Sequence, residues 1–275
     1  MVASIADRRR IVNARMYSVA PAADAAWRRL LGWILQRAAL PMEIIDHDPP
    51  ATLHDLWQRP DLGCALMCGL PYSQREPRPI LIAAPVPTPA RFAGRAVYFS
   101  DIAVRADSKY QRIEDTFGGT CGYTLGDSMS GCVAFRRLLH RYRSRDHPGL
   151  YAEAVGNLIN ARGVVQALAE GRIDVGPLDG YVHELLKHLE PRFAAKVRVI
   201  ATTDPAPMPP FVATAALTNA EVDRLRGAFG ASIAAPELAA ERGTLLLGDF
   251  AFPAPGDYDV FDDILRTAQQ HAGTW

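Results

Sequence analysis

"AVYFSDIAVRA", residues 96–106, is the stretch on which the fold turns. Apolar and polar residues alternate through most of it, the period of a half-buried β-strand. A second such stretch, "KVRVIATT", lies at 196–203. Each adjoins a proline-rich, semi-rigid segment. Pro71, Pro77, Pro79, Pro85, Pro87 and Pro89 precede the first, and Pro205, Pro207, Pro209 and Pro210 follow the second. Two long strands that bracket a middle block predict a discontinuous two-lobe protein. Residues 1–102 and 202–275 form one lobe, residues 103–201 form the other, and the two strands cross between them.

Working outward, strand-like and helix-like segments alternate, the mark of an α/β protein. Strands are expected at 10–18 ("RIVNARMYS"), in "MEIIDH", in "GCALMCG" at 63–69, in "ILIAA" within the first proline stretch, and in "IDVGPLDG". An amphipathic helix is expected at 22–38, with Trp27, Leu30, Leu31, Ile34 and Leu35 on one face. "LHDLWQRP" reads as a short helix ended by Pro60. "RIEDTFGGTCGYTL" reads as a short helix, a glycine turn and a strand. Further helices are expected at 129–143, before Gly171, and in "YVHELLKHLEP". Another starts after Thr218, with Glu221 at capping-box spacing.

Of 275 residues, 22% are charged and 49% hydrophobic, with 30 basic and 30 acidic side chains. That usage is globular, and the zero net charge gives no field that would favour nucleic acid or an anionic membrane. No stretch is long and apolar enough for a transmembrane helix, so direct membrane insertion is not expected. The N-terminus lacks the apolar core of a secretory signal, which makes a cytoplasmic location the expectation, or a periplasmic one if a leader was removed. The four cysteines are Cys64, Cys68, Cys121 and Cys132. In an extended strand Cys64 and Cys68 stand about 13 Å apart, too far for a shared metal or a disulfide. They read as buried free thiols, and no metal or cofactor is expected. His183 and His188, five apart on one helix, do not share a face and read as surface or structural residues.

"GDSMSGCVAF", residues 126–135, carries the chemistry. Ser128 stands where a helix N-cap belongs. Gly126, Asp127, Ser128, Ser130 and Gly131 are richer than a cap requires. A helix start offers free N–H groups and a positive dipole end, two hydroxyls add donors, and Gly131 allows close backbone approach. The residues leave cap and anion cradle both open. A nucleophile is disfavoured, because Ser130 occupies the place of the second glycine of a G-x-S-x-G elbow and no Asp-x-x-His follows late in the chain. No catalytic residue is assigned. Asp174 and Asp179 flank the strand "VGPL". Asp174 is expected to face solvent. Asp179 sits at the carboxyl end, where ligands collect in open α/β sheets, or else caps the next helix. "RRR" at 8–10 and "RYRSR" at 141–145 read as solvated faces.

The order of "MYSVAP", "LMCGLPY", "VYFSDIAVRADS", "GDSMSGCVAFRRLL", "ALAEGRIDVGPLDGYVHELL" and "VRVIATTDPAPMPPFVA" resembles the phosphonate/phosphate-type substrate-binding proteins of ABC transporters. More narrowly, it resembles a leaderless bacterial branch of them. The resemblance spans about residues 11–215. It implies a type II periplasmic-binding-protein fold, two α/β lobes with two crossing strands, and a ligand in the cleft between them. By the same resemblance Ser128, Met129, Ser130 and Gly131 would take the phosphate or phosphonate oxygens. Tyr17, Cys68, Gly69 and Tyr72 would line the first lobe, with Tyr98 and Ser100 from the crossing strand and Asp179 from the second lobe. Two departures stand out. Met129 is apolar where the family more often has threonine or another polar residue, and "NLINARG" replaces a Gly-Ser-His, leaving Asn160 as the polar substitute.

The expectation is a solute-binding protein that closes on a small oxyanion such as phosphate, phosphite or phosphonate and serves ABC-type transport. Its partners would be that anion and a permease, with no nucleic acid. The competing expectation is a cytoplasmic enzyme or sensor of the same fold that acts on a small metabolite.

Overall fold

The structure, a computed structural model, describes residues 10–48, 51–144, 148–270 and 273–275. The N-terminal stretch that bears on a leader, and His271, lie outside the described residues. The strands in chain order are β1 (Ile11–Asn13), β2 (Glu43–Ile44), β3 (Leu62–Leu66), β4 (Ile80–Pro87), β5 (Val97–Tyr98), β6 (Ser100–Arg105), β7 (Thr120–Gly122), β8 (Glu153–Val155), β9 (Val175–Asp179), β10 (Val197–Thr202), β11 (Ala206–Pro207), β12 (Phe211–Ala213) and β13 (Leu247–Ala251).

The chain forms two compact units. The first comprises the residues up to 96 together with 208–257, and the second comprises 97–207 with 258–275. The sequence reading kept everything after 202 in the first lobe. The last segment instead packs within the second unit, where Trp275 stacks on Tyr123 at 4.9 Å between ring centroids and the Arg136 guanidinium covers its ring at 3.8 Å.

The first unit is built on a mixed sheet of order β13-β4-β12-β3-β1-β2. β1 runs parallel to β2 and β3, while β12 is antiparallel to both β3 and β4. Helix Pro21–Ala38 lays Trp27, Leu30, Leu31 and Ile34 on the core, as its 3.6-residue pattern requires. Trp27, Phe211, Phe229 and Phe250 form a chain of ring contacts through that core. The expected strand 10–18 stops at Asn13, because the Asn13 side chain takes the Arg15 N–H (2.8 Å) and turns the backbone into a 3-10 turn, Arg15–Tyr17. "GCALMCG" is likewise strand only to Leu66, and Gly69–Ser73 is helical. Thr218 and Glu221 form the capping box read from their spacing, at the start of helix Asn219–Ala234.

The second unit has a sheet of order β10-β6-β9-β7-β8. β6 is antiparallel to both β10 and β9, and β7 and β8 run parallel beyond. The long strand 96–106 is thus two strands, β5 paired with β11 and β6 paired with β10. Ile102, Val104, Cys121, Phe135 and Val175 fill one side of this sheet, and Ala103, Val164, Leu168 and Leu178 the other. All four cysteines are buried free thiols. Desolvation pushes the Cys121 thiol up to about 12, so it packs as a small apolar group.

Candidate functional site

The register of the second unit puts Ser100 opposite Asp179 and Asp101 opposite Leu178. Between the end of β7 and the helix Ala134–His140 the chain makes one wide helical turn, Met129–Val133. Thr124 N–H donates to the Gly131 carbonyl (3.0 Å) and pins this turn to the end of β7. Val133 and Ala134 then donate five residues back, to Ser128 and Met129.

Ser128 is the cap, and its Oγ accepts from Gly131 N–H at 3.1 Å. Its own hydroxyl hydrogen remains to donate. The N–H groups of Met129 and Ser130 have no intrahelical acceptor at this position in a helix, and both point out of the positive end of the dipole. Gly131 is required here. A Cβ on it would stand 1.8 Å from Thr124 Oγ1 and 2.8 Å from Ser128 Oγ. Thr124 is 6% exposed, and its Oγ1 is buried with no hydrogen-bond partner among the described residues. A buried hydroxyl with no protein partner costs free energy, and this one lies against the wide turn.

Two hydrogen bonds brace the turn. Ser100 Oγ donates to the Ser130 carbonyl (2.7 Å), and Ser130 Oγ donates to Asp179 Oδ2 (3.0 Å). Asp179 Oδ1 accepts the N–H groups of Tyr181 and Val182, so Asp179 also caps helix Gly180–Leu189. Burial pushes the Asp179 carboxyl up to about 6, with the Asp101 carboxylate adding to it. The N–H of Val182, the Ser130 hydroxyl and the N–H of Tyr181 oppose that rise. Once protonated, Asp179 can donate to Ser130 Oγ and release the Ser130 hydrogen toward an incoming oxyanion.

The folded protein holds this proton more tightly than the unfolded chain does. The stabilisation it brings is complete below about pH 4 and is lost as pH rises through 6. Asp179→Asn keeps the cap and has no proton to lose. It should therefore gain on the wild type by about 2 kcal/mol between about pH 4 and pH 7, measured by urea unfolding. Parallel pH profiles for the two proteins would refute the assignment.

Asn160 lies outside this group. Its Oδ1 caps helix Ala161–Ala169 by accepting Gly163 N–H at 3.1 Å, and the residue is exposed. Tyr98 is buried in β5. In the first unit, Tyr17 is fully buried and its hydroxyl reaches Met208 Sδ at 3.4 Å. Cys68, Gly69 and Tyr72 share the short helix Gly69–Ser73, with Cys68 at its N-cap and the Arg78 guanidinium 6.0 Å from the Tyr72 ring centre. Asp174 does not face solvent as expected. It is half-buried and accepts the Tyr110 hydroxyl (3.0 Å) and Thr120 N–H (2.8 Å), which tie the start of β9 to β7. Of the two stretches expected to be solvated, Arg8 and Arg9 lie outside the described residues and Arg10 pairs with Glu221; in the other, Arg141 pairs with Asp204, and Arg143 reaches Thr274 Oγ1 at 2.7 Å. His183 is structural, bound to Asp101.

Sequence reasoning missed Thr124. Its hydroxyl meets Gly131 only because Thr124 N–H and the Gly131 carbonyl pair, a contact that no spacing rule marks.

The fold is that of the two-lobe periplasmic binding proteins. A binding-protein component of a phosphonate ABC transporter from Pseudomonas aeruginosa superposes with a TM-score of 0.76 at 16% identity, covering 96% of this chain and 88% of that one. A Prochlorococcus marinus PhnD1 in complex with methylphosphonate gives 0.78 at 14% identity, over 95% and 98%. A Xanthomonas citri protein bound to ATP gives 0.64 at 15%, over 96% and 98%. No curated protein matches the sequence. The family of ABC-transporter phosphonate periplasmic substrate-binding proteins matches residues 20–243, and the chain belongs to that family. Among the described residues no helix is long and apolar enough to cross a membrane.

Proposed function

We propose that this solute-binding protein takes a small tetrahedral oxyanion of the phosphate, phosphite or phosphonate class on the Ser128–Gly131 turn, and hands it to an ABC-transporter permease. The observation that carries the reading is convergence. The Met129 and Ser130 N–H groups and the Ser128 hydroxyl hydrogen gather at the start of one wide turn, and the buried, unpartnered Thr124 hydroxyl lies against its Gly131. Family membership and the methylphosphonate held by the Prochlorococcus protein support the same class of ligand. Recognition would rest on neutral donors and the helix dipole.

Calorimetry of the full chain with phosphate, phosphite, methylphosphonate and 2-aminoethylphosphonate tests this. At least one should bind saturably at one site. Ser128→Ala should weaken it about tenfold or more, the worth of one hydrogen bond to a charged group. Folded protein that gives no heat with any of the four would end the oxyanion reading.

A further inference from the structure

Two loops of the second unit flank the Ser128 turn. One runs from Thr124 to Ser128, closed by Ser128 N–H on the Leu125 carbonyl at 3.0 Å. The other, Gly156 to Asn160, leads into helix Ala161–Ala169. They are tied side by side: Tyr123 N–H donates to Val155 O (3.0 Å) and Leu158 N–H to Tyr123 O (3.3 Å).

Each loop carries an apolar side chain into solvent. Leu125 is 36% exposed and Ile159 is 56% exposed. Single exposed apolar residues are ordinary, but the backbone of Ile159 is not. Its φ is 67°, in the left-handed region. Asn157, two residues earlier, has φ 57°, which asparagine tolerates. A β-branched residue there is an outlier, and strain of this kind persists where the surroundings over-determine it, above all at ligand clamps. The loop is pinned on both sides, by buried Leu158 before Ile159 and by the Asn160 cap after it. Ile159 itself packs into no core of the second unit.

The polar groups of the site argue the same way. Both oxygens of Asp179 are engaged, by Ser130, Tyr181 and Val182, so this carboxylate is not held open for an ammonium group. Asp127, one residue before the cap, is exposed in the first loop, so the attraction it would offer an ammonium group is screened by solvent.

We infer that the oxyanion bound on the turn carries an uncharged apolar substituent, received by Leu125 and Ile159. The ligand class is then alkyl or aryl phosphonates and phosphate monoesters, rather than inorganic phosphate or an ammonium-bearing phosphonate. This rests on the oxyanion reading and on the unpartnered Thr124 hydroxyl that supports it.

The test compares butylphosphonate, butyl phosphate, methylphosphonate, 2-aminoethylphosphonate and inorganic phosphate on the full chain by calorimetry. Butylphosphonate should bind about tenfold or more tighter than methylphosphonate and 2-aminoethylphosphonate, since part-burial of the added methylenes is worth at least that factor. Butyl phosphate shows whether the C–P or the C–O–P link is preferred, and its binding tighter than inorganic phosphate supports the inference equally. In Ile159→Asn, whose new residue accepts the left-handed backbone, the butyl-to-methyl ratio should fall to about two, with folding checked by thermal melting. Methylphosphonate or 2-aminoethylphosphonate binding as tightly as butylphosphonate would overturn the apolar substituent and leave the oxyanion site standing, as would an unchanged ratio in Ile159→Asn. No binding by any of the five would remove the oxyanion site and this inference together.

Discussion

Gly131→Ala is expected to abolish oxyanion binding while the protein still folds. The added Cβ would stand 1.8 Å from Thr124 Oγ1, 2.9 Å from Thr124 Cβ and 2.8 Å from Ser128 Oγ. Thr124 cannot simply swing its hydroxyl away, because its Cβ is also too close. Nor can the turn back off freely, because Thr124 N–H holds the Gly131 carbonyl and Ser100 Oγ holds the Ser130 carbonyl. The turn or the end of the loop must shift by several tenths of an ångström. Overpacking of this kind costs roughly 1–3 kcal/mol, which a domain of this size survives. The donors proposed to hold the anion lose their geometry at the same time, so binding should fall about a hundredfold or more. Urea unfolding gives the first quantity and calorimetry the second. A folded variant that bound within about threefold of the wild type would show that the anion does not sit on this turn.

Asp101→Ala should be the most destabilising single change among the polar residues of the second unit. Asp101 is fully buried on β6, and His183 is 4% exposed on the helix that follows β9. Asp101 Oδ2 lies 2.8 Å from His183 Nδ1, and Oδ1 accepts the Thr202 hydroxyl at 3.1 Å from β10. One carboxylate thus joins a helix and two strands. Its removal leaves the buried His183 ring and the Thr202 hydroxyl without their acceptor and opens a small void. Leaving a buried polar group without its partner costs about 1–3 kcal/mol, and a hydrogen bond to a charged group is worth about 1.5–3. We expect a loss of about 3 kcal/mol by urea unfolding. Asp101→Asn, which keeps the volume and one acceptor, should lose less. A loss under about 1 kcal/mol for Asp101→Ala would mean that the pair contributes little to stability.

These two residues also mark what could and could not be seen in the chain. Gly131 was legible as part of a helix start suited to an anion, because caps, hydroxyls and glycine act over three or four residues. Thr218 with Glu221, and the apolar face of helix Pro21–Ala38, were legible for the same reason. Asp179 was readable as a cap or a ligand residue but not as the partner of Ser130, which is 49 positions away. Asp174 was misread as solvated, because its acceptor role depends on Tyr110 and Thr120 arriving from other elements. The strand expected at 10–18 failed on one local competitor, the Asn13 side chain.

By itself, then, the sequence determined an α/β chain with two strand stretches that bracket a continuous middle block, and a hydroxyl-rich helix start at Ser128. Periodicity, capping and proline punctuation are short-range physics, written within a few residues. Only the tertiary structure decided that the first turn is wide, that Thr124 presses on Gly131 with an unpartnered hydroxyl, that Asp179 braces Ser130, and that Ile159 takes a left-handed backbone. Those facts come from strand register and from hydrogen bonds between segments far apart in the chain. A pairing of that kind costs loop closure and is paid back only by the assembled sheet, so no local pattern announces it.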